Sequence, residues 1–186
     1  MLGRRRFLWA FGAGAAGLVL HGRPARASIA RALSLRELVR SSERALVGTA
    51  LDTESRFESV GGRRRIVTYS RLRVEERLGG PGDESELLVR TLGGKVGDVG
   101  QVVHGEALLL LGEPALVFLG PSPEGPLVVT AMAQGHYPIR ADKRGERRLS
   151  PSPRLAELVG DGAARELAGR RVAEATGLVR KAWDAR

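Results

Sequence analysis

The chain reads as a mainly β protein: a small antiparallel barrel or sandwich with a short N-terminal helix and C-terminal helices. Three observations predict this class. Between Ala45 and Leu149, short aliphatic or β-branched runs recur between Gly, Pro and acidic turns, the pattern of an all-β domain rather than of strands alternating with helices. One run, Arg64–Arg77, alternates in character over its whole length, as a strand with two different faces does. Outside this region the apolar spacing becomes helical, with a capping signature before it and a 4-3-4-3 stripe after it.

Taken in order, Ser34-Leu35-Arg36-Glu37 is a capping box, in which the Ser side chain accepts from a backbone N–H three residues on and the Glu side chain reaches back. A helix is expected over Leu35–Ser42, burying Leu35, Leu38 and Val39. Strands are expected at Ala45–Asp52, Arg64–Arg77, Glu86–Leu92, Ala107–Leu111, Ala115–Leu119, Leu127–Met132 and Tyr137–Ala141. In the second of these, Leu72 and Val74 should point inward while the alternate face, Val67, Tyr69, Arg71, Arg73, Glu75 and Arg77, turns its charges outward. Its length suggests a bend, as in a strand that serves two parts of a barrel. Gly79-Gly80-Pro81-Gly82 and Gly120-Pro121-Ser122-Pro123 read as turns, and Gly93–Gly100 as a longer glycine-rich loop.

After Pro151, Ser152-Pro153 marks a helix start with Leu155 and Leu158 as its stripe, ended by Gly160-Asp161-Gly162. A second helix is expected over Ala163–Trp183, with Ala168, Val172, Ala175, Val179 and Ala182 on one side and Trp183 as its large anchor. Gly169 and Gly177 interrupt it. The organisation is therefore a leader (residues 1–27), a β-barrel domain (28–150) and a helical extension (151–186).

The leader carries an address. Arg4-Arg5-Arg6-Phe7-Leu8 precedes the apolar run Trp9–Leu20, and Ala25-Arg26-Ala27 follows, which is the layout of a cleavable export signal. The run is short and holds Gly12, Gly14 and Gly17, whereas a membrane-spanning helix needs about 20 apolar residues. An amphipathic surface helix would carry charge along one face; here the charge sits at the two ends. Two arginines, one variable residue and two large apolar residues resemble the twin-arginine signal of bacteria, with Gly3 and Trp9 departing from the residues usual beside it. The resemblance implies recognition of Arg4, Arg5, Phe7 and Leu8 by the twin-arginine export machinery. It also implies cleavage by signal peptidase at Ala25-x-Ala27, before Ser28, and a periplasmic or secreted protein with no stable membrane span after cleavage. With no cysteine in the chain, there is neither a lipoprotein anchor nor a disulfide framework. A domain held by packing alone suits folding before export.

The leader holds Arg4, Arg5, Arg6, Arg23 and Arg26 and no acid, so its removal takes five charges from the net +9. The remaining charges are interspersed, as on an ordinary solvated surface. Beyond the leader the aromatics are Phe57, Tyr69, Phe118, Tyr137 and Trp183, too few for a stacking platform, so no nucleic-acid partner is expected. His104 and His136 have no partner at helical spacing, and His104-Gly105-Glu106 lacks the second His of a zinc-protease helix. No metal or cofactor is expected. No Gly-x-Ser-x-Gly elbow occurs, and Ser122 sits in a turn, so no catalytic residue is assigned. Gly93–Gly100 lacks the Lys-Ser/Thr ending of a phosphate loop. Arg63-Arg64-Arg65 reads as a solvated edge that discourages aggregation.

The β region resembles the oligonucleotide/oligosaccharide-binding (OB) barrel of tissue inhibitors of metalloproteinases and netrin-like modules, and exported bacterial proteins of uncharacterised function. The resemblance rests on Leu46-Val47-Gly48-Thr49-Ala50, Ile66-Val67-Thr68 through Val74, Leu78-Gly79-Gly80, Leu88-Val89 with Gly93-Gly94, Gly112-Glu113, and Val117-Phe118-Leu119. It does not carry metalloproteinase inhibition, because those inhibitors reach the metal through an N-terminal cysteine and Ser28 cannot. The expected function is a non-enzymatic binding or accessory module of the cell envelope, with an envelope protein as a partner. Two alternatives stand beside it. An exported hydrolase requires a deep pocket in which His104 or His136 meets a carboxylate and a serine. A docking partner of an exported enzyme would use the C-terminal helix, with Trp183 exposed.

Overall fold

The computed structural model describes residues 30–123, 125–155 and 158–186. The signal residues Arg4, Arg5, Phe7 and Leu8 and the cleavage residues Ala25, Ala27 and Ser28 lie outside the described residues. In chain order the elements are β1 (Ala30–Arg31), α1 (Leu35–Arg40), β2 (Arg44–Val60), β3 (Arg63–Gly79), β4 (Glu86–Leu92), β5 (Gly94–Val96), β6 (Val99–Gln101), β7 (Pro114–Ser122) and β8 (Gly125–Val129). A 3-10 turn (Met132–Gly135) leads into β9 (His136–Ala141) and β10 (Arg147–Leu149). The chain closes with β11 (Leu158–Val159), α2 (Ala163–Leu167) and α3 (Val172–Asp184).

Five strands ring into a barrel in the order β7-β2-β3-β4-β8, with β8 returning to β7. β2, β3 and β4 form a meander and β7 returns beside β2, a Greek key, which is the plan of an OB-type barrel. The predicted antiparallel barrel is present with one parallel seam, where Val89 pairs with Leu127 and Arg90 with Val128. β9 and β10 extend the sheet outward from β7.

β7 shows why its sequence is apolar without alternation. Ala115, Val117 and Leu119 belong to the barrel interior with Leu46, Leu72, Val89 and Val129. Leu116 and Phe118 belong to a second layer with Leu38, Val39, Val47, Tyr137, Ala175 and Val179. A strand buried on both faces reads as a continuous apolar run. α1 and α3 supply the cover on the outer layer. The Ser34–Glu37 capping box forms in full, with Ser34 N–H donating to Glu37 Oε2 at 2.9 Å and Glu37 N–H donating to Ser34 Oγ at 3.3 Å. Leu35, Leu38 and Val39 are its buried residues. The helix stops at Arg40, two residues early, where Ser42 Oγ donates to the Leu38 carbonyl at 2.7 Å and contacts Thr130 Oγ1 at 2.9 Å.

β2 and β3 outgrow their neighbours. β7 covers β2 only over Arg44–Thr49, and β4 covers β3 only over Val67–Arg73. The remainder projects as a two-stranded arm ending at Gly61 (φ 58°) and Gly62 (φ 71°), a turn that needs two positive φ values. Register shifts near Val47/Gly48 and Ala50/Asp52 bend the ribbon where it leaves the barrel.

Five expectations are corrected. Ala107–Leu111 is not a strand: Ala107 and Leu109 pack into the barrel interior and only Leu111 bridges Ala50, so its apolar content plugs the barrel rather than pairing. Gly93–Gly100 is not a plain loop but the β5–β6 hairpin, since glycines with positive φ serve hairpin turns as well as loops. Val67, placed on the outward face, is fully buried. Beside it the β5–β6 segment lies back on β3, with Ile66 N–H donating to Gln101 Oε1 at 2.8 Å and Thr68 Oγ1 to the Gly93 carbonyl at 2.7 Å. Finally, the single helix Ala163–Trp183 is split into α2 and α3 at Gly169 (φ 79°). Among the described residues the helix expected from Ser152 does not form: a turn covers Pro153-Arg154, and Leu158–Val159 pairs as β11 in parallel with β1.

α3 is docked at its far end by an aromatic anchor. A methyl group at Gly79 would overlap the Trp183 indole, and Arg186 caps that ring at 4.3 Å while donating to the Ser42 carbonyl at 3.1 Å. Gly79→Ala should therefore cost about 1–3 kcal/mol by overpacking. In a Trp183→Ala background the same substitution should cost much less, and urea melts of the four proteins measure that coupling. Equal costs in both backgrounds would mean that the indole does not rest on Gly79.

Candidate functional site

The hydrolase alternative needs His104 or His136 to meet a serine and a carboxylate in a pocket. His104 is exposed on a turn. His136 does meet a serine, with Nδ1 3.0 Å from Ser152 Oγ, but both residues are buried, at 1% and 4% exposure. The charged group acting on His136 is the cation Arg140, and burial is the larger reason that its imidazole is pushed down to about 4. A neutral imidazole sealed from solvent and hydrogen-bonded to a hydroxyl is a satisfied core group. Ser122 ends β7 and Arg63–Arg65 begin β3 at the arm tip.

The strongest convergence of polar groups lies where the arm meets β4 and β8. A cavity of about 210 Å³ opens there, walled by Val60 of the arm, Leu92 of β4, Val128 and Val129 of β8, and Met132 of the 3-10 turn. Into this apolar frame come Arg90 from β4 and Glu106 from the connection after β6, at 5% and 6% exposure. Charged side chains are almost never so deeply buried unless they are paired.

Each charge is held in place. Glu106 Oε1 accepts from the Ala107 N–H at 3.0 Å and Oε2 from the Leu92 N–H at 3.2 Å, so it ties the end of β4 to the segment that plugs the barrel. Burial pushes its carboxyl up; those two hydrogen bonds, with Arg154 and Arg90 nearby, pull the other way. Arg90 Nη2 lies 3.3 Å from Glu58 Oε2. Glu58 is itself the arm's hub: its Oε1 accepts from Tyr69 Oη and from Arg56 Nε, both at 2.7 Å. The Tyr69 bond, then that of Arg56, holds the Glu58 carboxyl below the usual carboxylate range. Arg56 also stacks 4.3 Å over the Tyr69 ring. The arm is thus latched to the barrel by a carboxylate shared among three partners.

The far wall is strained. Ala131 (φ 52°) and Met132 (φ 57°) are the non-glycine residues with positive φ among the described residues, a conformation that costs roughly 1 kcal/mol or more each. The surrounding bonds impose it: Thr130 N–H donates to the Phe118 carbonyl at 2.9 Å and Ala133 N–H to the Gly105 carbonyl at 2.8 Å. The second of these joins the strained turn to the residue before Glu106.

The sequence did carry a signal for Arg90, a lone charge inside Leu87-Leu88-Val89-Arg90-Thr91-Leu92. Alternation alone would put that side chain on the face of Leu88, which is exposed. A second concavity of about 400 Å³ lies between α1 and α3, where Leu35, Leu178 and Ala182 are rimmed by the exposed Lys181 and Glu166; it holds no buried charge. Among the described residues no three His, Cys, Asp or Glu side chains come together as a metal site, and no helix is long and apolar enough to cross a membrane. No protein-family model matches the chain, and no curated protein matches it.

Proposed function

We propose that this protein is a non-enzymatic binding module of the bacterial cell envelope, exported by the twin-arginine route, and that it takes its ligand in the cavity beneath the arm. The observation that carries the reading is the burial of Arg90 and Glu106 in one small cavity with aliphatic walls. Stability alone does not favour this, because replacing buried charges by packed apolar side chains is often neutral or stabilising. The strain at Met132, which lines the cavity, and at its neighbour Ala131 points the same way, since such strain clusters at functional sites. The envelope location rests on Arg4, Arg5, Phe7 and Leu8 and on Ala25-x-Ala27 before Ser28. The sealed His136–Ser152 pair favours binding over hydrolysis.

One preparation tests both halves. Protein recovered from the envelope fraction of its own cells should show a small-molecule adduct by native mass spectrometry. The Arg90→Met variant, once shown to be folded by circular dichroism, should lack it. Changing Arg4 and Arg5 to Lys should empty the envelope fraction of the protein. Undiminished export of that variant overturns the route, and adduct-free wild-type spectra overturn the binding reading.

A further inference from the structure

We propose that the tip of the β2–β3 arm docks on an anionic lipid bilayer through Arg63, Arg64 and Arg65, with Phe57 beside them entering the headgroup layer. This goes beyond the cavity reading and does not depend on it. Between Ser55 and Val67 stand four arginines, Arg56, Arg63, Arg64 and Arg65, against the single acid Glu58. That acid is already committed, since it accepts from Tyr69 and Arg56 and pairs with Arg90. Among the described residues none of Arg63, Arg64 and Arg65 has a carboxylate partner, whereas every other arginine on a strand, from Arg31 to Arg148, is ion-paired. Protection of a bare strand edge is served as well by ion-paired charges. It does not call for three adjacent cations, whose mutual repulsion works against the folded chain.

The tip also suits a flat surface. Arg63 and Arg64 are exposed, and apart from chain neighbours no atom lies within 4 Å of where a side chain at Gly61 or Gly62 would begin, so nothing shields the turn. Arg64 lies 4.0 Å over the Phe57 ring, which is 36% exposed. A cation and an apolar ring are thus presented together. Guanidinium forks match phosphate oxygens, and attachment to a bilayer interface adds buried apolar area to charge attraction. A protein partner is less well served, because a specific interface buries about 800 Å² on each side and a hairpin tip offers a small fraction of that.

The chain has no cysteine, so Ser59→Cys, exposed on the arm, places an environment-sensitive dye at the tip alone. When vesicles of phosphatidylglycerol and phosphatidylcholine in equal parts are added to the full chain, the emission should shift to the blue. Vesicles of phosphatidylcholine alone should leave it unchanged, and added salt should weaken the shift. Changing Arg63→Gln, Arg64→Gln and Arg65→Gln together should raise the lipid needed by roughly a hundredfold, at about fivefold for each basic residue near an anionic leaflet. The same dye at Glu174→Cys, exposed on α3, should stay silent. Because the leader is present throughout, that control separates docking by the arm from attachment by the leader. No shift at the tip, an equal response to both vesicles, a shift at both dye positions, or a triple variant that binds as well as its parent overturns the inference. A tip dye that answers soluble polyglutamate and not vesicles overturns the bilayer as the partner.

Discussion

Acidification from pH 7 to pH 4 will remove about 3 kcal/mol of stability through His136 alone. Burial, aided by Arg140, lowers this imidazole from 6.5 to about 4, and a pKa difference of one between folded and unfolded chain is worth about 1.4 kcal/mol. Below pH 6.5 the unfolded chain accepts a proton that the folded chain refuses, so stability falls with pH until the folded imidazole also titrates near 4. As pH rises past 6.5 the slope fades, because neither state then holds the proton. The carboxylates held low, Glu37 at about 2 with Glu58, Glu84 and Asp142, lose their contribution only as pH falls through the carboxylate range. Glu106, pushed up by burial, takes its proton earlier in the folded chain and works in the opposite sense. Urea melts of the wild type and His136→Gln at pH 7, 5.5 and 4 separate these effects, because the difference between the two proteins isolates the imidazole. Parallel pH profiles would show that His136 is reached by solvent.

Phe118→Ala should cost about 3–5 kcal/mol, the range for deleting a fully buried aromatic ring, and lower the melting temperature by roughly 10 °C or more. The ring is fully buried and meets Tyr137 edge-on, with centroids 6.3 Å apart and planes at 78°. It lies in the layer between the sheet and the helices, where Leu38, Val39, Ala175 and Val179 also pack. The cavity left by the substitution therefore loosens both helices from the sheet, and the Trp183 fluorescence should shift toward that of a solvated indole. A loss below about 1.5 kcal/mol, the cost of a conservative apolar swap, would show that this layer is not built around Phe118.

The parts of the fold legible in the sequence are those whose determinants are local. The capping box at Ser34–Glu37 and the ends of β4 at Glu86 and Leu92 are set by residues within a few positions, and the structure has them as expected. Leu72 and Val74 face the barrel interior as their alternation predicts. What was not legible depends on distant neighbours. Nothing near Ala107–Leu111 says whether its leucines pair with a strand or plug a barrel. The closure of the ring depends on β8 lying parallel to β4, which no turn chemistry encodes. The site was hidden for the same reason: alternation puts Arg90 on the face of the exposed Leu88, and only the distant Glu58 of the arm, which meets Arg90 over β4, marks where that charge leaves water. Glu106 was visible only as part of an incomplete zinc motif, whereas its work here is to hold the Leu92 and Ala107 amides.

The layer that joins α1 to α3 has a consequence in time. Leu38 and Val39 share one core with Ala175 and Val179, and Ala30–Arg31 pairs with Leu158–Val159. A ribosome adds about 5–20 residues per second, so α1 waits on the order of ten seconds for the helix that completes its packing. During that interval the apolar layer formed by α1, β2 and β7 lacks the part of its cover that α3 supplies. The described fold closes only after α3 has been made, and α1, synthesised well before it, is among the last of these elements to be fully seated.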